Sequence, residues 1–439
     1  MVARVLARAA LVAGMVASLP TALAGQNPPA SSEPRSRENP PGSALRIASG
    51  TSWQPDATTP AAIHTMVGAW QLMLHGSMAV GYVREETPRG GDRFGSSNWA
   101  MLGATRSLGA GALSVTAMGS LETLTLGECG YPRLLSNGAR CAGNVVGEFQ
   151  YPHAPIMELA ARYARPIDDR VALELFAALV GEPALGPPSH VHRASAAIDP
   201  LAPISHHDMN PAHGSAGVLT AGLSTALWKL EVSAFDGERS DPDRFLPDPG
   251  PLKSFALRLS VNPSPLWSMQ GSVGRIPSAT GHHAGASGDL RVTTASVSHV
   301  RPVGGTGEWA ATAGWVRMDD GPTPRHSFLL ESALRLGERY TFFGRAEAAD
   351  RPDDRITIID LPNGAHEHIV ETRRASVAQV SGGLLLGQPI GSATVGVGAR
   401  ASLSFVPEAF VGYYLERRAT GFAVFGWVRP RASKISHQH

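Results

Sequence analysis

The sequence predicts an all-β protein, a closed antiparallel up-and-down transmembrane β-barrel of about sixteen strands with long external loops. Three observations support this fold class: a leader for export, segments in which polar and apolar residues alternate, and connections that are alternately short and long. After the leader, no stretch approaches the ~20 consecutive apolar residues that a membrane-spanning helix requires. The classes that remain are a soluble secreted β-protein and a barrel whose apolar residues are spread in alternation.

The beginning of the chain has the layout of a secretory signal peptide. Arg4 and Arg8 precede an apolar run over residues 9–24, which ends in a small-x-small cleavage site. A membrane anchor fits less well, because the run is short and is interrupted by Gly14 and Pro20. We therefore expect cleavage of the leader and delivery of the mature chain to the cell outer membrane.

The rest of the chain divides into three parts. Residues 25–66 are rich in Pro, Ser and Gly without a sustained period, which is typical of a disordered lead-in. Residues 67–429 carry the alternating segments and are the predicted barrel. Residues 430–439 are predicted to be a C-terminal tail, and residues 1–24 are the signal peptide.

The alternating segments assign residues to two faces. In residues 228–234, Trp, Leu, Val and Ala share one face and Lys, Glu and Ser share the other. Leucines of such segments are predicted to face lipid: Leu173, Leu230, Leu257 and Leu259. Charged residues of both signs are predicted to line the lumen: Glu158, Arg162, Glu174, Lys229, Glu231, Arg258, Glu331 and Arg335. A soluble sandwich also alternates, so this pattern alone does not decide between the two classes.

The lengths of the connections distinguish a membrane barrel from a soluble sandwich. Predicted strands begin with 68–83 and 97–107, and from there the gaps alternate strictly between short turns and longer loops, the longest at 122–154 and 182–214. Short periplasmic turns, long external loops and an even strand number produce this alternation in outer-membrane barrels. Aromatic residues are predicted at the periplasmic ends, where amphipathic rings collect at the membrane boundary: Tyr163, Trp228, Trp267, Trp309, Tyr340 and Trp427.

The net charge and the cysteine content indicate which partners and which cysteine chemistry to expect. The formal net charge is +1, which argues against a nucleic-acid partner, since such a partner requires a basic face. Cys129 and Cys141 are the two cysteines, and they lie in a Gly/Pro-rich stretch. In an oxidising compartment such a pair is predicted to form a disulfide rather than a redox or metal site.

Two resemblances support the barrel. The segment 421–429, Gly-Phe-Ala-Val-Phe-Gly-Trp-Val-Arg, resembles the terminal aromatic strand that the barrel-assembly machinery recognises, although a ten-residue tail follows it. The stretches M-G-S-L-E, H-x-P-x-M-E-L-A-A-R-Y, G-E-P-A-L-G-P-P, A-P-I-S-H-H and T-T-A-S resemble an uncharacterised family of predicted bacterial outer-membrane, porin-like proteins. That resemblance implies a porin-like barrel and an association with heavy-metal resistance loci.

Histidine is the residue most informative about chemistry. Six of the sixteen histidines fall between residues 153 and 213, most of them in the long connection 182–214. Neutral imidazole is the commonest metal ligand, and a thioether suits Cu(I). The candidate ligands for a copper or zinc ion are His153, His190, His192, His206, His207, Met209 and His213. No fixed motif sets their geometry, so a polar loop whose histidines are held by hydrogen bonds is the alternative.

The connection 182–214 is too long for a hairpin and could fold inward to narrow the lumen. Its charged surroundings then line either a water-filled channel or a plugged lumen crossed by salt bridges. The function predicted from sequence is therefore a porin-like channel or binding barrel for small solutes or metal ions. By analogy with porins of this size, it is compatible with a homo-oligomer.

Two other functions remain open at this point. Ser205, His206, His207, Asp208 and Ser215 have the residue types of a lipid- or peptide-hydrolysing site, although adjacent strand residues point to opposite faces and no G-x-S-x-G elbow occurs. No catalytic residue is therefore assigned. A structural or adhesive barrel that acts through its external loops is the third class.

Overall fold

The computed structural model describes residues 41–136, 139–141, 144–146, 148–237, 249–277, 289–319, 323–351, 355–357, 369–371 and 375–431. The predicted signal peptide, residues 25–40 of the predicted lead-in and residues 432–439 of the tail lie outside this part of the chain. Within it, no helix is long and apolar enough to cross a membrane.

Sixteen antiparallel strands form a closed barrel in which each strand pairs with its neighbours in the chain, and the last strand pairs with the first. The predicted fold class is therefore confirmed. The strands are β1 Trp70–Glu86, β2 Gly91–Leu108, β3 Gly111–Gly119, β4 Ile156–Pro166, β5 Ala172–Gly181, β6 Ser215–Ser224, β7 Trp228–Phe235, β8 Ser254–Ser264, β9 Trp267–Ile276, β10 Leu290–Val303, β11 Gly307–Asp319, β12 Arg325–Leu336, β13 Tyr340–Arg351, β14 Ala375–Ile390, β15 Ala393–Phe405 and β16 Arg418–Pro430.

One further strand, the seam strand Ala62–Val67, precedes the barrel and pairs with its closing edge. The first half of β1 pairs with the seam strand, and its second half, from Met78 to Glu86, pairs with β16. The seam strand thus continues the wall where β16 ends. This differs from the disordered lead-in predicted through residue 66, because Ala62–Val67 alternates too briefly to stand out in sequence.

The two ends of the barrel differ in their connections. At the short-turn end, the strands are joined by tight turns such as residues 109–110 and 225–227, as predicted. At the long-loop end, most connections are long, but residues 87–90 form a tight turn where a longer loop was predicted. The strict alternation is therefore wrong at this position, because β1 and β2 remain paired as far as Glu85 and Gly91 and leave only a short turn between them.

The connections contain short helical turns and short strand pairs. They are the helical turns Ala44–Arg46, Glu122–Thr125, His190–His192, His206–Met209, Glu408–Phe410 and Val411–Tyr414, and the strand pairs Tyr131–Pro132 with Phe149–Gln150, Ala139–Cys141 with Asn144–Val146, and Arg355–Thr357 with Ile369–Glu371.

Successive side chains of the strands point alternately outward and inward. On β8, Leu257 and Leu259 are 45% and 46% exposed, whereas Arg258 between them is 2% exposed. On β7, Leu230 is outward and Glu231 is inward, as the period of two requires. On β7 and β8 the leucines therefore lie on the outer face and the charged residues on the inner face.

Aromatic residues at the short-turn end mostly point outward. Trp228, Trp267 and Tyr340 are each about 40% exposed on the outer face. Trp427 does not join them: it is buried, and the Arg429 guanidinium lies 4.8 Å from its ring. Its placement among the outer aromatic residues was wrong, because on β16 it has the same parity as the inward residues.

The lumen is filled by protein. Three segments contribute buried residues to it: residues 41–61, the described residues between 126 and 155, and residues 182–214, which we call the inner loop. Leu185, Met209 and Ala212 of the inner loop pack against apolar wall residues in one buried cluster, and Ile198 and Leu201 pack in a second. The interior therefore resembles the core of a soluble protein.

Residues 41–61 lie inside the barrel near the short-turn end. Arg46 is buried, donates a hydrogen bond to the carbonyl of Ala226 in a short turn and lies 2.8 Å from Asp56. Trp53 is also buried, beneath the Arg46 guanidinium. Disorder was predicted for this stretch, but its cation, its ring and its hydroxyl groups have partners on the barrel wall.

Candidate metal site in the barrel lumen

The inner loop begins with a turn that requires glycine. Gly186 has φ +87°, and a Cβ there would collide with the carbonyl oxygen of Met209. Its N–H donates to Ser272 Oγ at 2.9 Å, and its carbonyl accepts from Arg258 at 3.3 Å. The turn thus fixes the start of the loop against β8 and β9, and prolines on both sides limit its alternatives.

Charged wall residues hold the middle of the loop. Arg193 forms a two-pronged ion pair with Glu331, with N–O distances of 2.6 and 3.2 Å. Asp199 lies 3.2 Å from Arg345 and 3.1 Å from Arg400. These ions are all buried, so each charge needs its partner.

The end of the loop is held in the same way. Glu347 accepts hydrogen bonds from the backbone N–H groups of Ile204 and Ser205, both at 3.1 Å, and from the Ser205 hydroxyl at 2.7 Å. Asp208 accepts from Ser327 at 2.6 Å and lies 3.6 Å from Arg325. The chain is therefore fixed on both sides of His206 and His207.

The predicted lumen-lining residues face inward and are joined in networks. Arg162 pairs with Glu174 at 2.6 Å, and Lys229 lies 3.1 Å from Glu231. Arg258 also pairs with Glu231 and donates to Thr51 of the N-terminal segment. The other residues of this prediction are Glu158, which lines an internal cavity, Glu331, which binds the inner loop, and Arg335, which donates to Gly337 near the short-turn end.

Five of the predicted ligand histidines form one cluster. His206 is at its centre, and its ring centroid lies 4.3 Å from that of His213, 4.5 Å from His190 and 4.8 Å from His207. His153 is further away, at 6.4 Å. Ligand nitrogens of His206, His207 and His213 all lie within 4.8 Å of one another. In a tetrahedral zinc site with Zn–N of about 2.0–2.1 Å, nitrogens lie about 3.4 Å apart, so small movements suffice to close the site.

Hydrogen bonds orient two of the rings. His213 Nδ1 lies 2.6 Å from the carbonyl oxygen of Asn210, which can only accept, so Nδ1 carries the proton and Nε2 keeps its lone pair. His153 Nδ1 lies 2.8 Å from Glu122 Oε2 and donates to it in the same manner. A carboxylate or carbonyl behind an imidazole is the usual support of a metal-ligating histidine.

His206 is the most unusual member of the cluster. It is 2% exposed, and neither of its ring nitrogens has a hydrogen-bond partner among the described residues. His190 Nδ1 is in the same position. A buried polar atom without a partner costs about 1–3 kcal/mol. A bound metal ion would take the lone pair of one nitrogen of each ring.

The cluster histidines differ in protonation. Burial, reinforced by neighbouring His213, lowers the pKa of His206 well below its ordinary value. Burial likewise lowers the pKa of His190, which has His153 beside it. Burial alone would lower the pKa of His153, but the Glu122 carboxylate raises it above the ordinary value. The imidazoles of His206 and His190 are therefore neutral at neutral pH, and each offers a lone pair.

A cavity of about 50 Å³ adjoins the cluster. Five histidines line it: His153, His190, His192, His206 and His213. The carboxylates of Glu158 and Glu182 and the thioethers of Met118 and Met157 complete its wall. The volume suits an ion with one or two waters rather than a hydrated solute.

Two of the predicted ligands lie apart from the cluster centre. Met209 packs in the apolar cluster, and its sulfur faces the backbone of Gly314 on β11, so the predicted thioether ligand was wrong. The cause is the helical turn His206–Met209, which sends its last side chain to the wall. His192 borders the cavity, but its ring contacts His75 and Trp99.

The serine, histidines and aspartate weighed as a hydrolytic set are not arranged as one. The Ser205 hydroxyl donates to Glu347, and Asp208 bonds with Ser327. Ser215 accepts from the N–H of Gly237. None of these three contacts joins a serine to a histidine, and nucleophilic activation requires such a pair.

Two contributors were not anticipated from sequence. Glu122 supports His153, from which it is separated by 31 residues, and no sequence pattern links the two. Tyr151 stacks on His207 with ring centroids 5.1 Å apart and planes inclined by 2°. The proximity of Tyr151 to His153 in sequence was the one available signal.

The Cys129–Cys141 disulfide stays a prediction, since the side chain of Cys141 lies outside the described residues.

No family profile and no curated protein sequence matches this chain. Among solved structures, it is similar to a loop-deletion form of OmpT, an outer membrane protein of Vibrio cholerae, with TM-score 0.47, 9% identity and coverage of 82% of this chain and 99% of that one. It is also similar to an anion-selective porin from Comamonas acidovorans (TM-score 0.43, 10% identity, 82% and 99% coverage). For OprB of Pseudomonas putida, solved at high pH, the TM-score is 0.47, at 9% identity and 82% and 94% coverage. At this identity the likeness concerns the fold alone.

Proposed function

We propose that this chain is an outer-membrane barrel that binds a late transition-metal ion, Zn²⁺ or copper, at the His206 cluster inside its lumen. The convergence of four imidazoles on a buried His206, whose two ring nitrogens have no partner among the described residues, carries the proposal. Imidazole donors suit zinc and copper. The Glu122 carboxylate and the Asn210 carbonyl accept hydrogen bonds from His153 and His213 and hold these two rings in place.

The apolar outer face of the barrel supports the proposed location in the outer membrane. Aliphatic side chains such as Leu219, Val232, Leu257 and Val397 are about half exposed around the outer face, while the inner face carries the ions. A closed sheet satisfies every strand without an edge, and an apolar outer band then suits hydrocarbon. Outward Trp228 and Trp267 at the short-turn end fit the membrane boundary, so this end is periplasmic in our proposal.

Binding fits the interior better than passive diffusion does. The inner loop is held across the lumen by ion pairs with the wall, and residues 41–61 are held by hydrogen bonds such as that from Arg258 to Thr51. The cavity beside the cluster has a volume of only about 50 Å³. A water-filled porin channel would leave its charged wall residues solvated. Here the same residues bind protein segments instead.

The proposal is tested by titration calorimetry of the full barrel in detergent with Zn²⁺ and with Cu²⁺. We expect wild type to bind about one ion per chain and His206→Ala/His213→Ala to lose at least a hundredfold in affinity. X-ray absorption of the complex should show nitrogen ligands at about 2.0–2.1 Å.

The matched control is His326→Ala, since His326 points outward on β12 beside Trp315. We expect it to bind as wild type does. Heat-dependent mobility on gels would show that each variant keeps its barrel. Equal binding by wild type and the double variant, or binding by neither, would refute the metal site.

A further inference from the structure

Beyond the cluster, three more imidazoles succeed one another toward the short-turn end. They belong to different elements: His192 to the inner loop, His75 to β1 and His64 to the seam strand. Sequence analysis included only His192 among the candidate ligands. Their succession arises from the pairing of the seam strand with β1 and from the inward course of the loop.

His192 connects the cluster to this succession. It borders the 50 Å³ cavity together with His190 and His206. It also borders a second cavity, of about 10 Å³, with Gln54 and Pro55 of the N-terminal segment. One side chain therefore faces both the cluster and the periplasmic half of the lumen.

His75 lies next along the wall. Its ring centroid is 5.6 Å from that of His192 and 4.8 Å from that of Trp99, which also contacts His192 at 4.9 Å. Trp99 thus holds both imidazoles in place. The spacing between the two rings is close to that within the cluster itself.

His64 follows at the end of the barrel. It pairs with Met73, while His75 pairs with Ala62, so His64 and His75 are diagonal neighbours on one face of the seam pair. Diagonal neighbours in an antiparallel pair lie about 7–8 Å apart, within reach of long side chains. The turn to β1 follows three residues after His64, at the periplasmic rim of our proposed orientation.

We propose that His192, His75 and His64 form an imidazole relay along which a metal ion passes between the His206 cluster and the periplasmic mouth. The inference rests on the proposed metal binding. At each step one imidazole nitrogen replaces another on the ion, and neither protons nor electrons are transferred. The cavity beside the cluster has room for an ion with only one or two waters, so an ion that leaves it toward His75 must exchange protein ligands.

The number of imidazole ligands at each position also suits the passage of an ion. Five imidazoles meet at the cluster, whereas the relay offers its ligands one or two at a time. Conduction needs sites that bind the ion strongly enough for it to enter and weakly enough for it to leave. The cluster therefore retains the ion, and the relay passes it on.

The test measures Zn²⁺ entry into vesicles that contain the barrel and an internal zinc indicator. The variant is His64→Phe/His75→Phe, which keeps aromatic packing on Trp99 but removes both ligand nitrogens. Neither residue borders the cavity of the cluster. We expect at least tenfold slower entry than with wild type, and calorimetric zinc affinity within twofold of wild type. The matched control is His299→Phe, since His299 packs outward between Trp267 and Trp309; it should behave as wild type.

Each outcome of this experiment supports or overturns a stated part of the proposal. Entry at the wild-type rate in the double variant overturns the relay, and so does equal slowing by His299→Phe. Wild-type barrels that bind zinc without passing it overturn the relay and leave the metal site standing. Wild-type barrels that bind no zinc or copper overturn the proposed function itself.

Discussion

At the scale of single residues, the parity of each strand position decides its surroundings. Arg258 is buried against Glu231, and its neighbours Leu257 and Leu259 lie outside the barrel. A change of one position exchanges lumen for membrane. One residue-scale prediction tests this contrast, and two more concern a buried carboxyl of the inner loop.

The first concerns Leu257. Leu257→Arg should destabilise the barrel by about 2–4 kcal/mol if Leu257 lies near the bilayer midplane, because a cation would then face hydrocarbon. The control is Leu336→Arg, at the end of β12, where the cost should be about 0–1 kcal/mol. Denaturant unfolding in lipid vesicles measures both. Equal costs at the two positions would contradict an outward apolar band centred on Leu257.

The second concerns Asp199. Burial alone would raise its pKa, but Arg400 and Arg345 hold the pKa of this carboxyl below its ordinary value. Asp199→Asn leaves two buried guanidinium groups short of a partner and should weaken loop docking by about 3 kcal/mol. Amide hydrogen exchange over residues 195–205 measures the change. The control is Asp289→Asn, which breaks an exposed pair with Arg275 and should cost about 0–1 kcal/mol.

The same carboxyl gives a pH dependence. Because the folded pKa of Asp199 lies below the unfolded value of about 3.9, its stabilisation is complete above that value and is lost as pH falls through the folded pKa. Exchange rates corrected for intrinsic pH effects should therefore show constant protection from pH 7 to about 5 and a loss below about 4. Loss of protection already near pH 6 would indicate that another group controls docking.

At the scale of elements, strands were easier to predict than connections. Alternation in β7 and β8 indicated both their bounds and their faces, since one period of two is repeated over eight or more residues. The inward course of the inner loop was only one of two readings, because its ion pairs join residues more than a hundred positions apart, such as Arg193 with Glu331. Likewise, Glu122 could not be paired with His153 from sequence, and Met209 could not be excluded from the site.

The predicted disulfide belongs to this scale. Cys129 and Cys141 should be bonded in protein taken from the cell envelope, and replacing both by serine should loosen residues 120–155 without opening the barrel. Thiol titration under denaturing, non-reducing conditions measures the first expectation, and gel mobility measures the second. Two titratable thiols per chain in unreduced protein would contradict the bond.

At the scale of the whole molecule, the filled lumen predicts electrical silence. Purified wild-type protein should show no steady potassium chloride conductance in planar bilayers, because the inner loop and residues 41–61 occupy the bore. Deleting both segments should open it, leaving residues such as Arg258 and Glu331 to be solvated. Slow ligand exchange along the relay would lie far below electrical detection.

Charge-altered variants identify the source of any current. In the double deletion, Arg258→Glu should change the ion selectivity of the open bore. An open wild-type channel would contradict the filled interior, and a silent double deletion with an intact barrel would indicate that residues 120–155 alone can close it.

The apolar interior has a calorimetric consequence. In a barrel with an aqueous bore, inner side chains are already hydrated before unfolding, so unfolding changes their heat capacity little. Here Phe176, Phe235 and Leu290 lie in a buried cluster with Leu185 and other apolar residues of the inner loop. Exposing such surface raises the heat capacity by about 0.45 cal/mol/K per Å². Release of the inner loop from the wall should therefore follow a strongly curved dependence on temperature, with docking weakest at both the hot and the cold extremes.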